Sequence, residues 1–190
     1  LRLAYVTETA RRAAATTALG DEYIPFCDVI DERAVVNAII GLHATGGSTN
    51  HAIHLVAMAR AAGVIVDWTD FSDLSAATPL LARVYPNGSA DVNAFEAAGG
   101  VAFIIRELIE TGGLHEDVMT SMGKGLHQYA ASPDLKGETL SFKPARALSG
   151  DLSILRPAAD PHAPTGGLVL LDGPLGRAVI KVSAVKPERR

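Results

Sequence analysis

The chain has 190 residues, of which 48% are hydrophobic and 20% are charged, with a net charge of −4 and a single cysteine. This composition is typical of a soluble globular protein with a substantial core, of one domain or slightly more. Basic residues form no stripe, so no nucleic-acid partner is expected, and no apolar run approaches the ~18 residues of a membrane span. One cysteine excludes an internal disulfide. Because no signal-peptide pattern is present either, we expect a cytoplasmic protein.

Helices predicted from apolar periodicity, glycine stops and capping residues occupy most of the first 110 residues. In chain order they span residues 5–19, 32–45, 51–62, 70–75, 91–98 and 101–110. Asp31 is expected to cap the second helix, and Asp91 the fifth. The third helix is apolar on nearly all sides, so we expect it to be buried between other elements. In the last helix, Glu107 is expected on the solvent side.

The predicted strands are short. Residues 64–66 are β-branched and predict a buried strand, whereas residues 26–30 form an apolar segment for which an extended conformation is one reading. Residues 139–142 predict a further strand, and residues 167–172 and 177–185 predict two strands joined by a turn. A helix followed by a short buried strand is typical of a layer fold, so the predicted fold class is α/β.

Three prolines mark a change in composition near residue 157. Pro157, Pro161 and Pro164 lie close together, which is typical of a linker. We therefore predict two parts: residues 1–156 are a layered, helix-rich α/β portion, and residues 157–190 are a linker followed by the first strands of a β-rich domain. The sequence begins within a helical pattern and ends just after a strand-like run, so we expect it to be part of a longer protein.

The glycine-rich stretch between the second and third helices is the strongest candidate for a binding site. The candidate residues are Gly46, Gly47, Ser48, Thr49, Asn50 and His51. The two glycines permit a sharp bend, and the next three residues are all good N-cap residues. A helix N-terminus presents unpaired amides and the positive end of the helix dipole, so it suits a carboxylate or a phosphate. The alternative is a tight helix–helix corner with an ordinary cap, which the stretch taken alone favours.

Other candidate residues carry weaker signals. His51 and His54 share a helix face, but no third ligand accompanies them, so no metal site is predicted. Cys27 is expected to be a small buried hydrophobe rather than a nucleophile. Lys124 is expected in a solvated loop, and Lys181 either faces water or extends its amine to solvent from an apolar strand. No nucleotide-binding glycine motif or serine-nucleophile elbow is present, so the residues by themselves give no reaction.

An ordered set of motifs resembles one protein family. The stretch 45–51, with residues 59–64, resembles the dihydroxyacid dehydratase / 6-phosphogluconate dehydratase family, and further motifs resemble its 6-phosphogluconate dehydratase branch. These motifs are Pro-Leu-Leu-Ala-Arg-Val-Tyr-Pro-Asn-Gly (79–88), Ala-Asp-Val-Asn (90–93), Ala-Ala-Gly-Gly (97–100), Leu-His-Glu-Asp-Val (114–118) and Gly-Arg-Ala-Val-Ile-Lys-Val-Ser-Ala-Val (176–185). The resemblance covers nearly the whole chain.

This resemblance implies a hydro-lyase of the Entner–Doudoroff pathway that converts 6-phospho-D-gluconate to 2-dehydro-3-deoxy-6-phosphogluconate and water. Family members use an iron–sulfur cluster, expected to be 4Fe-4S, whose open iron site acts as a Lewis acid on the departing hydroxyl. A base removes the proton next to the carboxylate, and Mg²⁺ commonly helps to hold that carboxylate. The implied fold is an α/β N-terminal domain followed by a β-barrel-like C-terminal domain, usually in a homodimer. In such an enzyme, we expect residues 46–51 to line the substrate cavity.

The chain departs from the family pattern in several places. The cluster cysteines are expected before Leu1 and the base beyond Arg190, so no catalytic or metal-ligating residue is assigned within the chain, and Cys27 is given no ligand role. Gly173-Pro174-Leu175 stands where the family usually has Gly-Asn-Leu, and the proline removes a backbone N–H. Two alternatives remain: a dehydratase for a dihydroxy acid or another sugar acid, and a non-catalytic α/β binding or dimerisation module.

Overall fold

A computed structural model describes residues 1–137, 139–185 and 189 of the chain. The α-helices of this described part are α1 (Arg2–Ala15), α2 (Phe26–Val29), α3 (Glu32–Thr45), α4 (Thr49–Ala61), α5 (Trp68–Ala77), α6 (Val92–Ala98) and α7 (Gly100–Glu110). Its strands are β1 (Met119–Thr120), β2 (Gly123–Lys124), β3 (Ala131–Lys136), β4 (Thr139–Pro144), β5 (Val169–Gly173) and β6 (Gly176–Ile180). Helices precede short strands along the chain, which confirms the predicted α/β class.

Aspartate caps begin three of the helices. The Asp31 carboxylate accepts a hydrogen bond from the amide of Ala34 at 2.8 Å and starts α3, and Asp91 caps α6 in the same way. Helix α5 begins with a capping box. The Asp67 carboxylate accepts a hydrogen bond from the backbone amide of Asp70, and the Asp70 carboxylate accepts one from the backbone amide of Asp67. The predicted caps of α3 and α6 are therefore confirmed.

Helix α3 is central to the packing because it contributes to two hydrophobic clusters. Ile40 and Ala44 belong to one cluster, whereas Ile39 and Leu42, on another face, belong to the second. Major partners in the first cluster are Leu81, Phe103, Ile104, Leu108 and Leu155. Those in the second are Leu55, Phe71 and Leu168. Burial on two faces fixes the position of α3, and hence the position of the turn after it.

The region around residue 157 is packed against the helical part of the chain. Leu80 and Ala82 form isolated antiparallel bridges with Ala163 and Leu155, respectively, and Leu155 is fully buried. The division of the chain into two domains near residue 157 stays a prediction. Of the predicted second part, residues 186–188 and 190 lie outside the described residues.

The strands form three antiparallel hairpins within the described residues: β1 with β2, β3 with β4, and β5 with β6. The last is the predicted hairpin, in which Val169 pairs with Ile180 and Gly173 pairs with Gly176. Its second strand ends at Ile180 rather than at residue 185 as predicted, because Val182–Ala184 form a 3-10 helix. Pro174 lies in the two-residue turn of this hairpin, where a missing backbone N–H removes no ladder hydrogen bond.

The two predictions of extended structure before residue 70 are wrong. Residues 64–66 belong to no strand; Val64 and Val66 pack against the second cluster, whereas Ile65 is 79% exposed. The segment thus packs two side chains on the core without pairing with a strand. Residues 26–30 contain the short helix α2, which begins after Pro25, a residue whose fixed φ suits the start of a helical turn.

Helix α4 is not buried on all sides, although its apolar sequence predicts this. Ala52, Leu55 and Ala59 form one buried stripe, whereas Ile53 and Met58 are 59% and 49% exposed. Within the described part of the chain α4 packs mainly on α3, so only one of its faces is covered.

Glu107 lies on the opposite side of its helix from the predicted one. Its side chain is buried, forms an ion pair with the neighbouring Arg106, and accepts a hydrogen bond from the amide of Ala158 at 2.8 Å. These partners compensate the carboxylate for its lost hydration.

Candidate functional site

Helix α3 ends in a glycine turn that no other residue type fits. Gly46 has a left-handed backbone with φ of +58°. Its amide donates to the carbonyl of His43 at 3.1 Å, and that of Gly47 donates to the carbonyl of Leu42 at 2.9 Å, the pattern of a Schellman motif. A Cβ atom at Gly46 would lie 2.1 Å from Nδ2 of Asn87. The turn therefore needs glycine for both its backbone angle and its close contact.

Helix α4 begins directly after this turn and opens to solvent. Ser48 is its N-cap, and its hydroxyl accepts a hydrogen bond from the amide of Asn50 at 3.1 Å. Ser48, Thr49, Asn50 and His51 are all exposed, whereas Gly46 is buried. The capping prediction is confirmed. The assignment of residues 46–51 to substrate binding stays a prediction.

A side chain from a distant turn holds the glycine turn in place. The amide nitrogen of Asn87 donates to the carbonyl oxygens of Gly46 and, at 3.3 Å, Thr45. The hydroxyl of Ser183 donates to Oδ1 of Asn87 at 2.9 Å. A Cβ atom at Gly167 would meet Oγ of Ser183 at 2.4 Å, so this second glycine lets the late segment approach. In the sequence, Asn87 lies within the motif of residues 79–88, and nothing in that motif predicts this contact.

The start of α4 shares a cavity of about 220 Å³ with a cationic side chain. Thr49 and Trp68 line this cavity together with Arg177 of β6, which is the charged member of its lining. The Arg177 guanidinium donates to Oγ1 of Thr69 at 2.5 Å and lies 3.5 Å from a carboxylate oxygen of Asp172. Among residues 46–51 only Thr49 lines this cavity. One residue of the first turn of α4 and a guanidinium thus share one cavity, and a positive helix end beside a guanidinium is suited to an anion. Sequence reasoning did not single out Arg177.

Behind the glycine turn lies a fully buried histidine. His43 is 0% exposed, and its two ring nitrogens have no hydrogen-bond partner in the described structure. Burial lowers the pKa of His43 to about 4, against a smaller opposing effect of the Phe71 backbone. Its ring packs edge-on against Phe71, and a Cβ atom at Gly166 would lie 2.8 Å from the His43 Cβ. His43 is therefore neutral at pH 7.

The other sequence candidates take no part in this arrangement. His51 and His54 are both exposed, and no group of three metal-ligating side chains occurs among the residues that the structure describes. Cys27 is exposed rather than buried as expected, because it lies on the short surface helix α2. Lys124 is exposed as predicted, but it lies in strand β2 rather than in a loop. Burial lowers the pKa of the half-buried Lys181.

A larger cavity, of about 520 Å³, lies on another part of the molecule between α3, α5 and α7. Its lining includes Ile40, Leu74 and Leu108, with His115 as the titratable group. This cavity offers no charged side chain for an anion, so the glycine turn remains the stronger candidate.

The family to which the chain belongs is established by comparison with known proteins. Residues 1–129 match the family described as "Dihydroxy-acid/6-phosphogluconate dehydratase N-terminal", so the chain is a member of this family.

No helix in the described residues is both long and apolar enough to cross a membrane.

Several of the relatives are named phosphogluconate dehydratases, as the motifs indicated. The phosphogluconate dehydratase of Rhizobium meliloti (strain 1021) is 56% identical over 99% of this chain, and that of Escherichia coli (strain K12) is 49% identical over 100%. A dihydroxy-acid dehydratase of Saccharolobus islandicus is 35% identical over 96% of the chain. The chain spans 31%, 32% and 31% of the lengths of these relatives.

Proposed function

We propose that this chain is part of a hydro-lyase that removes water from 6-phospho-D-gluconate to give 2-dehydro-3-deoxy-6-phosphogluconate. The family membership and the 56% identity to a phosphogluconate dehydratase support this proposal. The observation that carries it at the level of the site is the cavity in which the first turn of α4 meets Arg177. The substrate has a carboxylate at one end and a phosphate at the other, and either group fits such a surface.

The overall reaction breaks two bonds on adjacent carbons. A proton leaves the carbon next to the carboxylate, the hydroxyl on the adjoining carbon departs as water after gaining a proton, and the resulting enol becomes the 2-keto product. The role we propose for this chain is binding and orientation. The amides at the start of α4 and the guanidinium of Arg177 hold an anionic end of the substrate, which fixes the reacting carbons relative to the rest of the enzyme.

An iron–sulfur cluster does not fit the residues of this chain. The sequence has one cysteine, Cys27, which is exposed, and the described residues contain no group of three metal-ligating side chains. A cluster needs several thiolates that converge on it. We therefore propose that the cluster, and any Mg²⁺, is bound by parts of the enzyme outside these 190 residues.

Turnover of the full-length protein tests the proposed reaction. After anaerobic reconstitution with iron and sulfide, the protein is offered 6-phosphogluconate, unphosphorylated gluconate and a branched dihydroxy acid in parallel. We expect preference for 6-phosphogluconate. Preference for another acid would leave the family membership intact and change the proposed substrate. A dihydroxy acid is the second candidate substrate, because a dihydroxy-acid dehydratase is 35% identical to the chain. Absence of iron and of turnover would favour a non-catalytic binding module.

The site is tested separately by a double alanine replacement of Ser48 and Asn50. Because hydrogen bonds to a charged ligand contribute about 1.5–3 kcal/mol each, KM for 6-phosphogluconate should rise about tenfold or more. Ser48 also caps α4, so Asp31→Ala serves as the control: it removes a cap at the opposite end of α3. Unchanged kinetics in a folded double variant would reduce residues 46–51 to a structural corner.

We also propose that the full-length enzyme is a cytoplasmic homodimer. The family resemblance implies the homodimer, and the single cysteine favours the cytoplasm. Light scattering of the purified protein and fractionation of cells that contain it test the two statements. A monomer, or enrichment outside the cytoplasm, would contradict them.

A further inference from the structure

We infer that Asn87 is a positioning residue of the substrate site, which fixes the glycine turn before α4 and couples it to Ser183. The inference rests on the proposed function, because it takes the start of α4 to contact the substrate. No sequence motif assigns Asn87 such a role; its contacts do.

The Asn87 side chain satisfies two carbonyl groups of the turn. The last carbonyls of a helix have no partner within the helix. At the end of α3, the Asn87 amide donates to one such group, the carbonyl of Thr45, and to the carbonyl of the cap residue Gly46. The backbone amide of Asn87 in turn donates to the carbonyl of Val84 at 2.8 Å, so the residue is itself held in place.

Ser183 orients the Asn87 amide. Oδ1 of Asn87 accepts the hydroxyl hydrogen of Ser183 at 2.9 Å, which leaves the NH₂ group directed at the glycine turn. The backbone amide of Ser183 donates to the carbonyl of Gly167 at 3.3 Å. At Gly167, a Cβ atom would lie 3.2 Å from Cα of Gly46, so the late segment packs directly on the turn. Residues 46, 87, 167 and 183 thus meet at one point.

The direction of α4 depends on the turn that Asn87 holds. Gly47 and Ser48 connect Gly46 to the first turn of α4. If the Gly46 carbonyl loses its partner, the peptide plane between Gly46 and Gly47 is free to rotate, and the direction in which the chain enters α4 changes. A displacement of about 1 Å at a site can weaken binding and catalysis up to about 100-fold.

Asn37, which lies on α3, offers a matched control. Its side chain also bridges to a distant backbone: Nδ2 donates to the carbonyl of His115 at 2.8 Å, and Oδ1 accepts from the amide of His115 at 2.9 Å. Loss of this bridge removes comparable hydrogen bonds but leaves the glycine turn untouched. Asn37→Ala should therefore reproduce the structural cost of Asn87→Ala without its effect on the site.

The experiment compares Asn87→Ala with Asn37→Ala in the full-length protein reconstituted with its cofactor. Both variants should melt at lower temperatures than the wild type. Only Asn87→Ala should lower kcat/KM for 6-phosphogluconate, by about tenfold and mainly through a higher KM, because the interaction lost holds the substrate. Hydrogen exchange at residues 47–51 should accelerate only in Asn87→Ala. Ser183→Ala, a milder change, should shift KM in the same direction by about threefold and replaces Asn87→Ala if that variant does not fold.

Equal KM values in the Asn87 and Asn37 variants, or a KM in Ser183→Ala equal to that of the wild type, would overturn the inference while leaving the proposed function intact. A wild-type protein that binds its cofactor but does not turn over 6-phosphogluconate would overturn the proposed function, and the inference with it.

Discussion

The burial of His43 should make the region around α3 less stable as the pH falls below about 6.5. Its pKa is about 4 in the folded chain and about 6.5 when exposed. Between these values the unfolded form binds a proton that the folded form does not, so stability falls as the pH decreases through this window. Each pH unit in this window lowers the free energy of unfolding by about 1.36 kcal/mol, so it falls by about 2 kcal/mol between pH 6.5 and pH 5. Full burial means that solvent does not screen this cost.

The variant His43→Leu tests this attribution. Leucine suits the apolar neighbours of this position and removes two buried nitrogens that lack partners, so we expect a gain of about 1–2 kcal/mol at pH 7. At pH 5 the gain should grow by about 2 kcal/mol, because the variant has no proton to bind there. Hydrogen exchange of the α3 amides in the full-length protein, corrected for intrinsic rates, reports the local opening free energy.

His54→Ala is the control, since it removes an exposed histidine of α4. It should keep the pH dependence of the wild type. If the wild type and His43→Leu lose the same opening free energy between pH 7 and pH 5, the attribution of the pH dependence to the burial of His43 is refuted.

Two further predictions concern backbone and cap positions. Gly46→Ala should cost about 3 kcal/mol, because it combines a left-handed alanine with displacement of Asn87; Gly63→Ala, at φ of +84° with open space around it, should cost only about 1 kcal/mol. Equal losses in thermal unfolding would contradict the role given to Asn87. Asp31→Ala should cost about 1 kcal/mol at pH 7. The hydrogen bond from the Ala34 amide is the main cause that lowers the pKa of Asp31 in the folded chain. The cap therefore stabilises the fold fully at pH values above the pKa of an unfolded aspartate. Its contribution is lost as the pH falls through the lowered pKa of the folded state. Melting curves of the variant and the wild type should therefore converge in acid.

Features determined by neighbours in sequence could be predicted. Asp31 and Asp91 cap helices because their side chains reach amides three residues later. Gly46 ends α3 because a left-handed residue is needed there and glycine adopts that conformation without strain. The helices, the last hairpin and the glycine turn of the candidate site all obey such local rules.

Features determined by tertiary contacts could not be predicted. Glu107 falls on the polar side of its helix by composition, but the amide of Ala158 and the guanidinium of Arg106 make its burial favourable. The candidate site is predictable only as far as the turn and its cap. Asn87 and Ser183 are 96 positions apart, and no local pattern reports that they meet.

The packing of residues 166–168 against α3 and α5 has a consequence for the order in which the protein is made. The carbonyl of Leu168 accepts the hydroxyl hydrogen of Ser75 at 2.6 Å, and the amide of Gly166 donates to the carbonyl of Ser75 at 2.8 Å. At a synthesis rate of about 5–20 residues per second, the 96 residues from Asn87 to Ser183 take about 5–20 s. During that interval the nascent chain already contains the glycine turn and Asn87 but not yet Ser183. Until Leu168 has been synthesised, the second cluster also lacks that side chain. The candidate site thus reaches its final form only after all seven described helices have been synthesised.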